Sequence, residues 1–167
     1  QTYDVRTPAS GEVVGRIAWA GRDEAEAALA SAAGAVEQWS QTSIAERTAW
    51  MLRLRERLLA NSERLRLAIH LEMGKPWAAT EEDVTSICDS LAFYAEEISR
   101  FRAEALIDRE DTHDHLIVHE PVGVVVAFVA WNFPLLNLGF KLGPAMAAGC
   151  PIVIKPSFKA PLSAYIV

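Results

Sequence analysis

"GVVVAFVAWNFPLLNLGFKLGPAMAAGCPIVIK", residues 123–155, is the stretch on which the fold turns. Its first part is apolar without interruption, as in a parallel strand covered on both faces, and predicts a strand over about 122–129. "NFPLLNLGFKLGPAMAAG" then reads as a helix ending at Gly149, with a kink or local break at Pro144, which cannot donate the helical hydrogen bond. "PIVIK", 151–155, is a further short strand, and Pro161 suits the first turn of another helix. Strand, helix, strand is the βαβ unit of a doubly wound α/β sheet.

Ligands of such sheets collect at the carboxyl ends of the strands. Asn132 and Lys155 stand just past two successive strand ends, so both are expected to face one crevice. Asn132 is also out of place among apolar neighbours. A buried amide needs a partner, and that partner need not be protein. The position equally suits a helix N-cap, where Asn is preferred. The dinucleotide fingerprint G-x-G-x-x-G is absent between the strands, and Lys155 stands near the place of the usual acidic residue. Spacing alone leaves a nucleotide site open.

Working outward, "YDVRTPASGEVVGRIAWAG" reads as a β-hairpin turning at Pro8 and Gly11. Asp23 and Glu26 have capping-box spacing ahead of a stripe of Ala25, Ala28, Leu29, Ala32 and Val36. Ser43 and Glu46 repeat the signal before Met51, Leu54 and Leu58. Leu65, Ala68, Ile69 and Met73 form a face that stops at Gly74, a natural C-cap before Pro76. Thr80 and Asp83 open another long helix whose Val84, Ile87, Leu91, Tyr94 and Ile98 recur at helical spacing. "DREDTHDH", 108–115, is a polar linker, followed by a strand at about 115–119.

The chain has 167 residues, 51% of them hydrophobic, and a formal charge of −6. That balance provides no basic stripe for nucleic acid. Apolar runs break well short of the roughly 18–20 residues of a membrane span, and the polar start resembles no secretory signal. Cys88 and Cys150 show no metal-ligand spacing, and a reducing, cytoplasmic setting with both thiols buried and inert is expected. His70, His113, His115 and His119 have no metal spacing either.

Several motifs occur together and in order: "TPASGEVVGRI", "EMGKP" at 72–76, "WNFP" at 131–134, "KLGPA" at 141–145, "AAG" at 147–149, "KPS" at 155–157 and "PLS" at 161–163. With them the chain resembles the amino-terminal part of the NAD(P)-dependent aldehyde dehydrogenase superfamily over essentially its whole length. The resemblance implies an α/β fold in which an N-terminal β-hairpin and long helices lead into the first βαβ unit of a Rossmann-like cofactor domain. It divides the chain into a hairpin and helical part (1–107), a linker and subunit-joining strand (108–121) and the start of the βαβ unit (122–167).

By the same resemblance, Asn132 donates a hydrogen bond to the oxyanion formed when a cysteine attacks the aldehyde, and Lys155 contacts the adenosine ribose. Val129, Trp131, Ser157 and Phe158 belong to the cofactor cleft, and Phe133 and Phe140 to the substrate tunnel. Lys141 is a structural or proton-relay candidate. Where NAD-preferring relatives often carry Glu after "KPS", this chain has Phe158 and then Lys159, which leaves NADP open beside NAD. The implied substrate is a small aldehyde, and the implied assembly a homodimer or homotetramer. The family's nucleophilic cysteine and general-base glutamate lie beyond residue 167, so these residues alone are expected to be inactive. Two other readings share the same residues: a non-catalytic nucleotide-binding or interaction module, and a relative that passes its thioester to coenzyme A.

Overall fold

A computed structural model describes residues 1–101, 104–110 and 112–167. The linker reading therefore lies outside the described residues at position 111, and the helical part does so at 102 and 103. Strands β1 (Thr2–Arg6) and β2 (Val13–Ala18) form the expected antiparallel hairpin, with a register shift between Val5 and Arg6. Gly11 takes φ +76° in its turn, a left-handed conformation that favours glycine.

Helices follow: α1 (Arg22–Gly34), α2 (Val36–Ser40), α3 (Ile44–Ala60), α4 (Ser62–Met73) and α5 (Thr80–Glu97). The cap of α1 is displaced from the expected one. Gly21 is the N-cap, and Glu24 rather than Glu26 reaches back to its N–H at 2.7 Å, because the helix already begins at Arg22. The alanine stripe is not a core face. No α1 residue is buried and Leu29 is exposed, while the helix breaks before Val36. The Ser43–Glu46 box forms as read, and Gly74 closes α4 at φ +68°.

Strand β3 (Glu104–Leu106), which the helical reading of 1–107 did not include, pairs antiparallel with β4 (His115–Ile117), shorter than the strand expected there. Strand β5 (Val125–Phe128), helix α6 (Pro134–Ala147) and parallel strand β6 (Ile152–Lys155) make the βαβ unit, and α7 (Leu162–Ile166) follows Pro161, its N-cap. Helix α6 runs unbroken through Pro144. The forfeited bond is the one to the carbonyl of Phe140, a residue exposed to water, which can satisfy it. Strand β5 is not covered on both faces. Ala127 is buried, whereas Val126 and Phe128 are 46% and 70% exposed, so one face of the sheet is open.

One core joins the helices to the βαβ unit: Met51, Leu65, Ile69, Ile87, Leu91, Leu135 and Leu138 are all fully buried. Helices α5 and α6 approach closely because α6 presents glycine there. A Cβ on Gly139 would lie 3.1 Å from the Ile87 Cα and 3.2 Å from the Ser90 Cβ; one on Gly143 would lie 2.7 Å from the Tyr94 ring. Ser90 Oγ donates to the Gly139 carbonyl at 2.8 Å across this contact.

Alanine in place of glycine ordinarily favours a helix by about 1 kcal/mol. Here the Cβ added by Gly139→Ala meets the Ile87 backbone at 3.1 Å, so that α5 must give by a few tenths of an ångström, and overpacking costs about 1–3 kcal/mol. The variant should therefore unfold at lower urea concentration than the parent chain; equal or greater stability would show that the helices can separate freely.

Candidate functional site

The site begins at the edge where β5 and β6 end together. Their register pairs Ala127 with Ile154 and Phe128 with Lys155, and the Val129 N–H donates to the Lys155 carbonyl at 3.0 Å. Paired residues of parallel strands project to the same face. Phe128 and Lys155 therefore share the open face, while Ala127 and the buried Val129 turn to the core. Lys155 is the last residue of β6 rather than one past it, and its exposed ammonium has no partner among the described residues.

From β5 the chain turns through residues 131–133 into α6. The N-cap is Phe133, with Pro134 in the first turn and no side-chain cap hydrogen bond, so Asn132 does not cap the helix. Nor is its amide buried; it is exposed. Asn137 holds the turn from inside α6. Its N–H and its Nδ2 both donate to the Phe133 carbonyl at 2.9 Å, and Nδ2 lies 3.5 Å from Asn132 Oδ1. Asn132 thus receives at its oxygen, while its own Nδ2 has no protein partner among the described residues. Chemically, this is a neutral donor held ready at a strand edge. Lys141 Nζ donates to the Asn137 carbonyl at 3.2 Å, one turn back within α6.

A cleft of about 910 Å³ lies between the hairpin and this turn, lined by Tyr3, Arg6, Arg16, Trp131, Phe158 and Lys159 among others. Neither Asn132 nor Lys155 lines it. The structure brings those two residues to one sheet edge but not into one of the described cavities. Lys159 Nζ lies 5.5 Å above the half-exposed Trp131 ring. Phe158 does not stand free over the strand tip: it packs edge-on against Tyr3 at 5.8 Å and Trp19 at 6.3 Å. Ser157 Oγ accepts from the Lys159 N–H at 3.3 Å. Phe140 lines a separate cavity of about 350 Å³ with Ser90, Phe93, Tyr94 and Leu136. Phe133 is not part of that wall; its ring lies under the Lys75 ammonium, 4.4 Å from the centroid.

The reading by residue pattern missed Glu72, Lys75, Asp83 and Asn137. Buried Glu72 accepts from the Ser163 N–H at 3.1 Å, the Ser163 hydroxyl at 2.6 Å and the Leu162 N–H, and so anchors the start of α7 behind the 156–161 loop. Burial pushes its carboxyl above the usual range, against the downward pull of these donors. Asp83, placed in sequence where a first-turn acid belongs, instead turns inward to Lys75. Their only sequence signals were a Glu and a Lys bracketing a helix-ending glycine in "EMGKP". Cys88 and Cys150 are both buried, and burial raises the Cys88 thiol.

Comparison with known proteins supplies context for this geometry. The model of the Aldehyde dehydrogenase family matches residues 1–167. A mitochondrial succinate-semialdehyde dehydrogenase of Arabidopsis thaliana is 37% identical over 98% of this chain, which corresponds to 31% of the relative. An NADP/NAD-dependent aldehyde dehydrogenase of Escherichia coli is 36% identical over 98% of this chain and 34% of its own length. The solved structure of succinate-semialdehyde dehydrogenase from Burkholderia pseudomallei superposes with a TM-score of 0.96 at 35% identity, over 99% of this chain and 34% of the other. The chain spans about a third of the length of the curated relatives it matches.

The Glu72 anchor yields a pH prediction. A carboxyl raised in the folded state binds more protons there than in the unfolded state. Its contribution is full below the ordinary range of about 4 and is lost as pH rises through the raised value. The stability of the parent chain relative to Glu72→Gln should therefore shrink as pH rises above about 4, as read by urea unfolding. A difference that grows with pH would mean that the three donors outweigh burial.

Proposed function

The chain belongs to the aldehyde dehydrogenase family, and on that footing we propose that its protein oxidises a small aldehyde to the carboxylic acid with a nicotinamide dinucleotide. The observation that carries the proposal is the Asn132 amide. Its oxygen faces Asn137, its nitrogen is without a protein partner among the described residues, and it stands at the sheet edge that also ends in Lys155.

When a thiolate adds to an aldehyde, negative charge develops on the carbonyl oxygen. A preoriented neutral amide stabilises that oxygen without neutralising the attacking thiolate, as a lysine would. Asn132 is the donor in this reading. Lys155 offers its ammonium to ribose hydroxyls, and Val129 and Trp131 supply backbone and ring surface beside it. An exposed strand-tip cation and an open sheet face of Val126 and Phe128 fit a dinucleotide, which supplies the hydride acceptor when bound. Phe140 and its cavity between α5 and α6 serve as tunnel wall. Phe133 serves the tunnel only through its place behind Asn132.

Both NAD and NADP are proposed as cofactors. No carboxylate follows "KPS" to repel a 2′-phosphate, and Phe158 is committed to the hairpin aromatics. A relative from Escherichia coli is named for both cofactors. For assembly, we read the β3–β4 hairpin as a subunit-joining element of a homodimer or homotetramer, supported by the exposure of Leu106 and Leu116. Among the described residues no helix is long and apolar enough to cross a membrane, and two buried, unpaired cysteines support a reducing compartment.

Two measurements on the intact protein test this reading. Asn132→Ala should lower kcat by roughly 10²–10³-fold, the loss typical of one oxyanion donor. A change of less than about threefold with chemistry rate-limiting removes Asn132 from the mechanism. The ratio of kcat/KM for NAD and NADP should lie within about tenfold, about 1.4 kcal/mol in transition-state binding; a much larger NAD preference would overturn dual use.

A further inference from the structure

A buried ion pair lies directly behind the Asn132 turn. Asp83 has a side chain with 0% exposure and Lys75 one with 14%; Lys75 Nζ bonds Asp83 Oδ2, and Asp83 Oδ1 accepts no well-formed hydrogen bond among the described residues. The Lys75 backbone is itself pinned. It follows the left-handed Gly74 cap, and its carbonyl lies 2.6 Å from His70 Nδ1, which must carry the proton there. The same ammonium lies 4.4 Å from the Phe133 ring centroid, within cation–π range.

A buried pair of this kind is a weak source of stability, since desolvating two charges costs about what their attraction returns. Asp83 makes the cost plain, because half its carboxylate is unsatisfied. Placement is what the pair does provide. Phe133 is the N-cap of α6 with no side-chain cap hydrogen bond, so the turn lacks the usual fastening. Its carbonyl is held by Asn137 and its ring by Lys75, and between those two anchors the preceding residue, Asn132, has little freedom.

We propose that Lys75 and Asp83 form a positioning pair for Asn132: the ammonium, aimed by a fully buried carboxylate, clamps the Phe133 ring and thereby sets the turn that presents the Asn132 amide. The proposal deepens the oxyanion reading and rests on it. Lys75 touches no substrate atom in this scheme; it acts through Phe133.

The test compares Lys75→Met/Asp83→Leu, Lys75→Arg and Asn132→Ala in the intact protein. The double variant removes both charges together, so it should melt within a few degrees of wild type. It should nevertheless lose about 10- to 100-fold in kcat, the scale of a misplaced catalytic group, with KM for aldehyde and cofactor little changed. Lys75→Arg keeps a cation for both Asp83 and Phe133 and should retain most of the turnover. Should the double variant not fold, Lys75→Gln, which leaves a donor for Asp83 but no cation over the ring, is read the same way. Wild-type kcat in the charge-free variant, with Asn132→Ala impaired, overturns the positioning role alone. If Asn132→Ala is itself unimpaired, the oxyanion reading falls, and the ¹⁵N–¹H signals of the Asn132 side-chain amide decide the rest. Shifted or broadened signals in the charge-free variant support the clamp; unchanged signals overturn it.

Discussion

Everything at the candidate site depends on how near α5 can come to α6. Helix axes normally stand 8–10 Å apart, the distance being set by the side chains between them. Gly139 and Gly143 remove two of those side chains where Ile87, Ser90 and Tyr94 press inward. The approach has consequences at both ends of the contact. At the N-terminus of α6 it brings the turn carrying Asn132 within reach of Lys75, whose partner Asp83 sits one turn into α5. Further along, it leaves the cavity of Ser90, Tyr94, Leu136 and Phe140 as a narrow space between the helices. A larger residue at Gly139 would alter the site without touching it.

The elements of the fold were largely legible in the residues because they follow from local chemistry. Ser43 with Glu46, Gly74 ahead of Pro76, and the spacing from Val84 to Leu91 each specify backbone geometry or a buried face within a few residues. What was not legible depended on partners distant in sequence. Ala25 through Val36 has the spacing of a core stripe, yet α1 has nothing broad to pack against and stays exposed. Strand β5 has the composition of a two-sided strand, but within this chain, which spans about a third of its relatives' length, one face is open. β3 is only three residues long and takes its identity from pairing with β4. Pro144 interrupts no helix because the bond it forfeits lies on the wet side.

The site divides along the same line. Asn132 and Lys155 stand out in the sequence because they are polar residues in apolar surroundings at the ends of strands. The residues that brace the neighbouring segments do not. Glu72 bonds groups 90 and 91 positions away, and Asp83 occupies a position where an acid favourable to a helix N-terminus raises no question. Asn137 hides in a helical run as one more polar residue. Polar groups at strand ends announce themselves by being out of place, whereas residues that brace a turn or a helix start look like ordinary surface or cap residues until the chain is folded.

The two polar groups at the sheet edge also differ in a way that suits different tasks. Lys155 ends a strand on the open face, exposed and without a side-chain partner among the described residues, which is what a contact with hydroxyls or phosphate needs: tolerance of approach. Asn132 is neutral and has only directional hydrogen bonds to offer, so its value depends on orientation. The structure treats them accordingly. Around Lys155 there are strand backbone bonds, among them one from the Val129 N–H, and no side-chain hydrogen bond among the described residues, while near Asn132 stand Asn137, Phe133 and, behind its ring, Lys75 and Asp83. The proposed clamp and the proposed oxyanion role fit each other in this respect: a buried carboxylate behind the turn would serve to fix the angle of the amide, and an oxyanion donor is a role in which that angle matters.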